Sequence, residues 1–309
     1  MNNTGDDLIE RLPLSRRSFL RTAALAASGA ALGLRAAPSA GGARRPIIGF
    51  SKPFQSLGPA DTAALVAEVG WDGIECPVRR RGQIEPERVG EELPRFVDAF
   101  RRRGLDIPFL VTDITSMRTP HAESVLGVAA RLGVKRIRLG NWQYLPGLPI
   151  LQQLDAFAAE LKEIGAACAP LGIQAAVENH SGTGLFGAPV WDVVTVLRDH
   201  RVENVGLCFD IGHATVEGGL SWRIQARLAE PFYEAVYVKD FVWRQEPNGW
   251  NPVWCPLGEG MVDRSFFTWL KQSEFRGPIC QHHEYPLGDR AEMVGHMRRD
   301  LHVLKSWLA

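Results

Sequence analysis

From residue 46 onward the chain alternates short apolar runs with longer amphipathic ones, eight times over. The apolar runs are 47–52, 73–78, 107–114, 136–140, 174–179, 205–210, 235–240 and 278–284; the helix-like segments are 59–69, 86–103, 121–132, 149–170, 188–199, 220–228, 264–273 and 290–307. A strand covered by helices on both faces reads as a continuous hydrophobic run, which is the environment of a parallel α/β sheet. Gly104, Gly133 and Gly172 fall just past helical segments, where a left-handed C-cap is needed. Eight βα units in about 260 residues predict an α/β fold, a single (β/α)8 barrel. A doubly wound open sheet usually has fewer units and often a Gly-rich phosphate turn after its first strand, and GFSKPF at 49–54 is no such turn.

Residues 1–42 stand outside this pattern. Arg16-Arg17 precede a 13-residue run of Ala, Gly and Leu, too short to span a bilayer, and RAAPSAGG follows it as a small-residue processing site. The expectation is a twin-arginine export leader and linker over 1–42, cleaved near Ala37 to Gly42. The barrel over 43–309 would then be periplasmic or extracellular, with no stable membrane anchor after processing. The full chain has 35 basic and 35 acidic residues, which leaves no electrostatic footprint for nucleic acid and points to a small neutral or weakly charged ligand. Five cysteines, without CxxC spacing, define neither a disulfide framework nor a zinc-thiolate cluster.

Barrel sites gather at the C-terminal ends of strands. Those ends carry Ser51-Lys52, Glu75, Asp113, Asn141-Trp142, Glu178-Asn179-His180, Asp210 with His213, Lys239-Asp240, and His282-His283-Glu284. A lone acid such as Asp113 or Asp240 reads as a helix cap or loop acid. Glu178, Asp210 and Glu284 together would point into one bowl, where mutual repulsion calls for compensation, most simply by a divalent metal. His282 shares strand-face parity with Glu284 and is expected inward, with His283 outward.

With AAVENH, LCFDIGHA, VYVKDF, PLGEGMVD and PICQHHEY in this order at strands five to eight, the chain resembles the sugar phosphate isomerase/epimerase family, the xylose isomerase-like TIM barrels, over roughly 46–307. The resemblance implies a divalent metal, Mn²⁺ or Mg²⁺ before Co²⁺ or Zn²⁺, held by Glu178, Asp210 and Glu284. It also implies that His213 contacts the metal or a substrate hydroxyl. The family commonly reads VHVKD on strand seven, and here Tyr237 replaces that ligand histidine. Either a histidine among His180, His213 and His282 completes the shell, or Tyr237 ligates or hydrogen-bonds, or the site is metal-free. A phenol titrating near 10 suits hydrogen bonding to a carboxylate or substrate oxygen better than coordination.

The implied activity is isomerisation or epimerisation of a carbohydrate through an enediolate. Glu178 and Glu284 would be the acid/base pair, one on each face of the sugar, and Asp210 a structural ligand. Lys239 would polarise a carbonyl or neutralise the enolate, or else pair with Asp240 as a rim salt bridge. His180, His213, Tyr237, His282 and Trp142 are candidate substrate contacts, with Trp243, Trp250 and Trp254 on the same loops. A metal-dependent lyase or dehydratase on keto-sugars or 3-keto-glycosides would use the same chemistry, and a non-catalytic carbohydrate-binding barrel would use the aromatic rim alone. The AP endonuclease branch is disfavoured, because Trp254 and Pro252 stand where its extra ligands would be. The leader yields a direct test: replacing Arg16 and Arg17 by lysine leaves full-length precursor in the cytoplasm, read by fractionation and immunoblot, and unchanged export of that variant overturns the assignment.

Overall fold

A computed structural model describes residues 45–309 apart from Asn248, so the leader and linker expected over 1–42 lie outside the described residues. Eight parallel strands close into a barrel: β1 (Ile47–Phe50), β2 (Gly73–Pro77), β3 (Asp106–Val111), β4 (Arg136–Arg138), β5 (Gln174–Glu178), β6 (Val205–Asp210), β7 (Tyr233–Val238) and, after a hairpin, β10 (Ile279–Gln281), which pairs with β1 and β7. Around it run α1 (Pro59–Val69), α2 (Val89–Arg101), α3 (Ala122–Leu132), α4 (Ile150–Cys168), α5 (Trp191–Asp199), α6 (Ile211–Gly218), α7 (Trp222–Ala229), α8 (Ser265–Gln272) and α9 (Arg290–Leu308). The expected barrel is therefore the fold observed. Gly104, Gly133 and Gly172 take φ of 69°, 79° and 63°, the left-handed geometry their positions required.

The strands alternate between two cores. Ile48, Phe50, Phe109, Val111, Ala176, Cys208, Ala235, Tyr237 and Cys280 fill the barrel interior, and the opposite side chains pack against the helices. The interior set is apolar low in the barrel and becomes polar at the C-terminal ends, where Glu75, Arg138, Glu178 and Asp210 are buried strand residues. Several strands stop two or three residues short of the apolar run that announced them. Beyond Val111, Arg138 and Gln281 the chain leaves the ladder to line the mouth, so hydrophobicity persists after pairing has ended.

Two features depart from the expected order. The segment after β6 becomes helical at once: Asp210 is the N-cap of α6 and its side chain accepts the His213 amide at 2.9 Å. And the chain after β7 forms an antiparallel hairpin of β8 (Asp240–Glu246) and β9 (Gly249–Cys255), where open loops were expected. Its sequence signal is Pro247-Asn248-Gly249, a cluster of turn-forming residues between two tryptophan-bearing runs.

Asp240 anchors that hairpin. Its carboxylate accepts the amides of Phe241 (2.9 Å), Val262 (2.9 Å), Gly258 (2.9 Å) and Gly260 (3.1 Å). A Cβ at Gly260 would run into the same carboxylate and the Phe241 carbonyl, which explains the glycine in PLGEG. Asp240→Ala strands several buried donors and should lower unfolding stability by about 2–4 kcal/mol in urea titrations. The exposed Asp113→Ala should change it little, and equal effects of the two would refute this role for Asp240.

Candidate active site at the barrel mouth

The mouth is built on charge pairs between neighbouring strands. Arg138, from the end of β4, places Nη1 2.6 Å from Glu178 Oε2 at the end of β5, both side chains almost wholly buried. Lys239, just past β7, sits 3.3 Å from Asp210 Oδ2 and 3.3 Å from Glu284 Oε2. Lys52, after β1, stands 3.8 Å from the other Glu284 oxygen. Asn179 clamps the end of β6, donating to the Asp210 carbonyl at 2.9 Å and accepting its amide at 2.7 Å. The rim pair of Lys239 with Asp240 does not form: Lys239 turns inward, and Asp240 spends its oxygens on backbone amides.

Burial penalises each charge here, and the partners decide the outcome. For Glu178 burial opposes ionisation, yet Arg138 foremost, then His180, Lys239 and His282, hold its carboxyl below the usual range. Burial likewise opposes Glu284, but Lys239, His282 and Lys52 draw it down to about 2. Asp210 is pushed up by burial and by the charge of Glu178, against the pull of Lys239. Lys239, desolvated but flanked by Asp210, Glu284 and Glu178, is held above the ordinary lysine range. His213 is pushed well below its usual value by burial, Lys239 and His180, so its imidazole is neutral.

Of the buried side-chain atoms without a hydrogen-bond partner among the described residues, three lie together at this mouth: Glu178 Oε1, Asp210 Oδ2 and His213 Nε2. Lys239 Nζ, 3.3 Å from Asp210 Oδ2, contributes charge without hydrogen-bond geometry. Glu178, Asp210 and His213 offer ligand atoms all within 4.8 Å of one another. Ligands at about 2.0–2.2 Å from a shared ion fall within such a span, and two carboxylate oxygens with one neutral imidazole suit a divalent cation. Glu284 is not brought into this cluster; it faces it across Lys239. Repulsion among three acids, the ground on which a metal was expected, is offset in part by Arg138 and Lys239.

The remaining candidates divide into contacts and supports. His180 lies against His213, ring centroids 4.0 Å apart, while His213 Nδ1 bonds Ser181 Oγ at 2.7 Å. Trp254, on β9, meets His213 edge-on at 5.1 Å and carries Lys239 Nζ 4.5 Å from its ring centroid. Trp142 does not line the mouth as an open sugar platform: it is buried, packs edge-on against Phe186 and donates to Glu160 at 2.6 Å. Trp243 and Trp250 are exposed on the hairpin. Tyr237 donates its hydroxyl to Glu75, whose other oxygen takes His282 Nε2 at 3.1 Å, with Cys280 Sγ at 3.6 Å. Tyr237 thus orients a carboxylate, but Glu75 rather than Glu178 or Asp210. His283 points outward, its Nε2 3.4 Å from Asp300 on α9.

Two residues that organise the site were missed as candidates. Arg138 stands inside RIRLG, and its inward parity beside the Glu178 strand was the available signal. Glu75 was visible at a strand end, but the residues it binds come from β7 and β10, far away in sequence.

A parallel eight-stranded barrel with helices around it defines a (β/α)8 barrel, and its acidic and cationic cluster lies at the C-terminal end, where sites of this fold gather. The profile of the xylose isomerase-like TIM barrel family matches residues 63–306, and the chain belongs to that family. No curated relative matches the sequence. Among solved structures, the chain is similar to a xylose isomerase-like TIM barrel protein from Mycobacterium smegmatis in complex with magnesium, at 18% identity and TM-score 0.62, over 86% of this chain and 98% of that one. It is also similar to a 3-keto-D-glucoside 4-epimerase from E. coli (15%, 0.63, 85% and 100%) and to a probable 3-DHS dehydratase from Bacillus anthracis (15%, 0.67, 84% and 98%). At these identities the likeness is one of fold.

The ion pairs carry a pH signature. A Glu284 carboxyl depressed from 4.5 to about 2 stabilises the fold fully above 4.5, and that contribution is lost as pH falls through about 2. Lys239→Met should therefore return the Glu284 carboxyl resonance, followed by ¹³C NMR in chelator-treated protein, toward an ordinary titration, and an unmoved midpoint refutes the pairing.

Proposed function

We propose that the protein is a metal-dependent sugar isomerase or epimerase that moves a proton at a carbon beside a carbonyl. The observation that carries this reading is the trio of orphaned buried atoms on Glu178, Asp210 and His213, facing the Lys239–Glu284 pair. Those three residues would hold a divalent cation, Mn²⁺ or Mg²⁺ suiting the oxygen-rich set, which when bound supplies positive charge to polarise the carbonyl and stabilise the enediolate.

Glu284 is the proton carrier at the open side of the cluster. It is held ionised, the state a base requires, although a carboxylate drawn so low is a weak base. Lys239 can relieve this. When its ammonium donates to the developing oxyanion of the substrate, Glu284 loses part of its counter-charge and gains basicity at the moment of proton removal. Glu178 serves the opposite face of the sugar, kept ionised by Arg138. His213 and His180 bind hydroxyls, with Trp254 packing over the apolar face of the ring.

A lyase reading is favoured by one finding, the fold shared with both a 3-keto-glucoside epimerase and a probable dehydratase. The same residues would then expel a β-substituent from the enolate. Incubating metal-loaded protein with aldoses, ketoses and 3-keto-glycosides in D₂O decides among the readings. Deuterium enters the substrate carbon if an enolate forms, the product separates isomerase from lyase, and a carbohydrate-binding barrel shows no exchange. Glu284→Gln and Glu178→Gln should each slow exchange by about 10²- to 10⁴-fold. Asp210→Asn with His213→Ala should empty the metal by elemental analysis; full occupancy in that variant overturns the site.

A further inference from the structure

We propose a second metal site, distinct from the mouth cluster in place and chemistry: Glu75, Cys280 and His282 hold a borderline-soft divalent ion such as Zn²⁺, which clips the barrel at its seam. The three residues offer a carboxylate oxygen, a sulfur and a ring nitrogen, all within 4.8 Å of one another and all buried. None of them belongs to the trio of Glu178, Asp210 and His213, so this site stands independently of the sugar chemistry above.

The distances suit one shared ion. Glu75 Oε2 lies 3.1 Å from His282 Nε2 and 3.6 Å from Cys280 Sγ. Tetrahedral bonds of about 2.0–2.2 Å to oxygen and nitrogen and about 2.3 Å to sulfur would separate oxygen from nitrogen by about 3.4 Å and oxygen from sulfur by about 3.6 Å. Each ligand is also held in place. Cys280 and His282 are two positions apart on one strand run and project to the same side. The His282 ring lies 4.7 Å from that of Phe50 and 4.4 Å from that of Tyr237, centroid to centroid. Tyr237 donates its hydroxyl to Glu75 Oε1 and leaves Oε2 for the ion, the support that a metal-binding carboxylate usually has. Hydrogen bonding alone accounts poorly for the sulfur, because a thiol is a weak donor and Glu75 Oε2 already faces the stronger one, His282. On binding, the Cys280 proton passes to solvent and the imidazole keeps its proton on Nδ1. Dication, carboxylate and thiolate then sum to zero charge in the barrel interior.

Thiolate and imidazole select Zn²⁺ or Co²⁺ over Mg²⁺ or Mn²⁺, whereas the mouth trio contains no sulfur. The place gives the ion a purpose. Glu75 is on β2 and Cys280 on β10, the two strands that flank β1 where the first and last strands of the barrel meet. An ion shared by them closes a loop of chain across 205 positions, the case in which a crosslink gains most in chain entropy. Cysteine spacing could not announce such a site, because its ligands come from opposite ends of the barrel sequence.

Co²⁺ is the probe, since thiolate-to-cobalt charge transfer in the near ultraviolet reports a sulfur ligand. Loading by expression in Co²⁺ medium and by refolding chelator-treated protein with Co²⁺ allows for a site closed to exchange. The band should appear in the wild type and persist in Asp210→Asn with His213→Ala, whereas Mn²⁺ loading reads the mouth alone. Cys280→Ala should lose the band, and so should Glu75→Gln, whose amide can still meet Tyr237 and His282. In the Asp210→Asn, His213→Ala background Zn²⁺ should raise the Tm by about 5 °C or more, and adding Cys280→Ala should abolish that gain. No thiolate band in the wild type by either loading route, or a band that survives both Cys280→Ala and Glu75→Gln, overturns the site; a Zn²⁺ gain in Tm that survives Cys280→Ala overturns the clip.

Discussion

Lys239 and Arg138 are the two cations on which the mouth depends. Each is almost wholly buried, and each is held by acids from neighbouring strands of the barrel. Taking an ammonium or guanidinium out of water costs several kcal/mol, which only close partners offset. The pairs therefore lock strand ends to one another: β4 to β5 through Arg138 and Glu178, and the segment after β7 to β6 and to the segment after β10 through Lys239. The apolar interior below needs no such device, since Ile48, Phe109, Val111 and Ala235 hold together by packing. Charge in the upper layer is what distinguishes this barrel end from the apolar interior below it.

That arrangement alters what a metal would encounter. Glu178, Asp210 and Glu284 together look like a strongly negative bowl, but Arg138, Lys239 and Lys52 stand against them within 2.6–3.8 Å. Retention of a cation would then rest on the directed lone pairs of Glu178, Asp210 and His213 more than on a field of negative charge. Tyr237 fits the same logic. At the place of an imidazole, it binds Glu75 and packs on His282, with ring centroids 4.4 Å apart, closing a polar floor beneath the site.

Most of the fold was legible because burial on both faces writes parallel strands as uninterrupted apolar runs, and because Gly133 and Gly172 mark helix ends with a conformation few other residues adopt. The acids Glu178 and Asp210 were legible for a similar reason, as charges at the ends of such runs. Partnership was not. Glu75 meets Tyr237 and His282 across more than 160 positions of chain, and nothing local in RIR marks Arg138 as the partner of Glu178. The hairpin was hidden because its tryptophans, read as loop aromatics, are alternate residues of two short strands. Trp142 misled for the opposite reason: at a strand end it looked available, yet Glu160 and Phe186 have claimed it.

The hairpin has a consequence for traffic. Trp254 touches His213 and underlies Lys239, so β9 is fastened to the cluster at two points, and Asp240 pins its base to PLGEG. A wall tied in this way resists displacement, because lifting it would strip the lysine of its aromatic support. On the proposed reading a substrate would enter over β1 to β3, where a cavity opens beside the strand ends. A molecule entering there would arrive and leave with the same end foremost, and the barrel would serve as a dead-end berth instead of a thoroughfare.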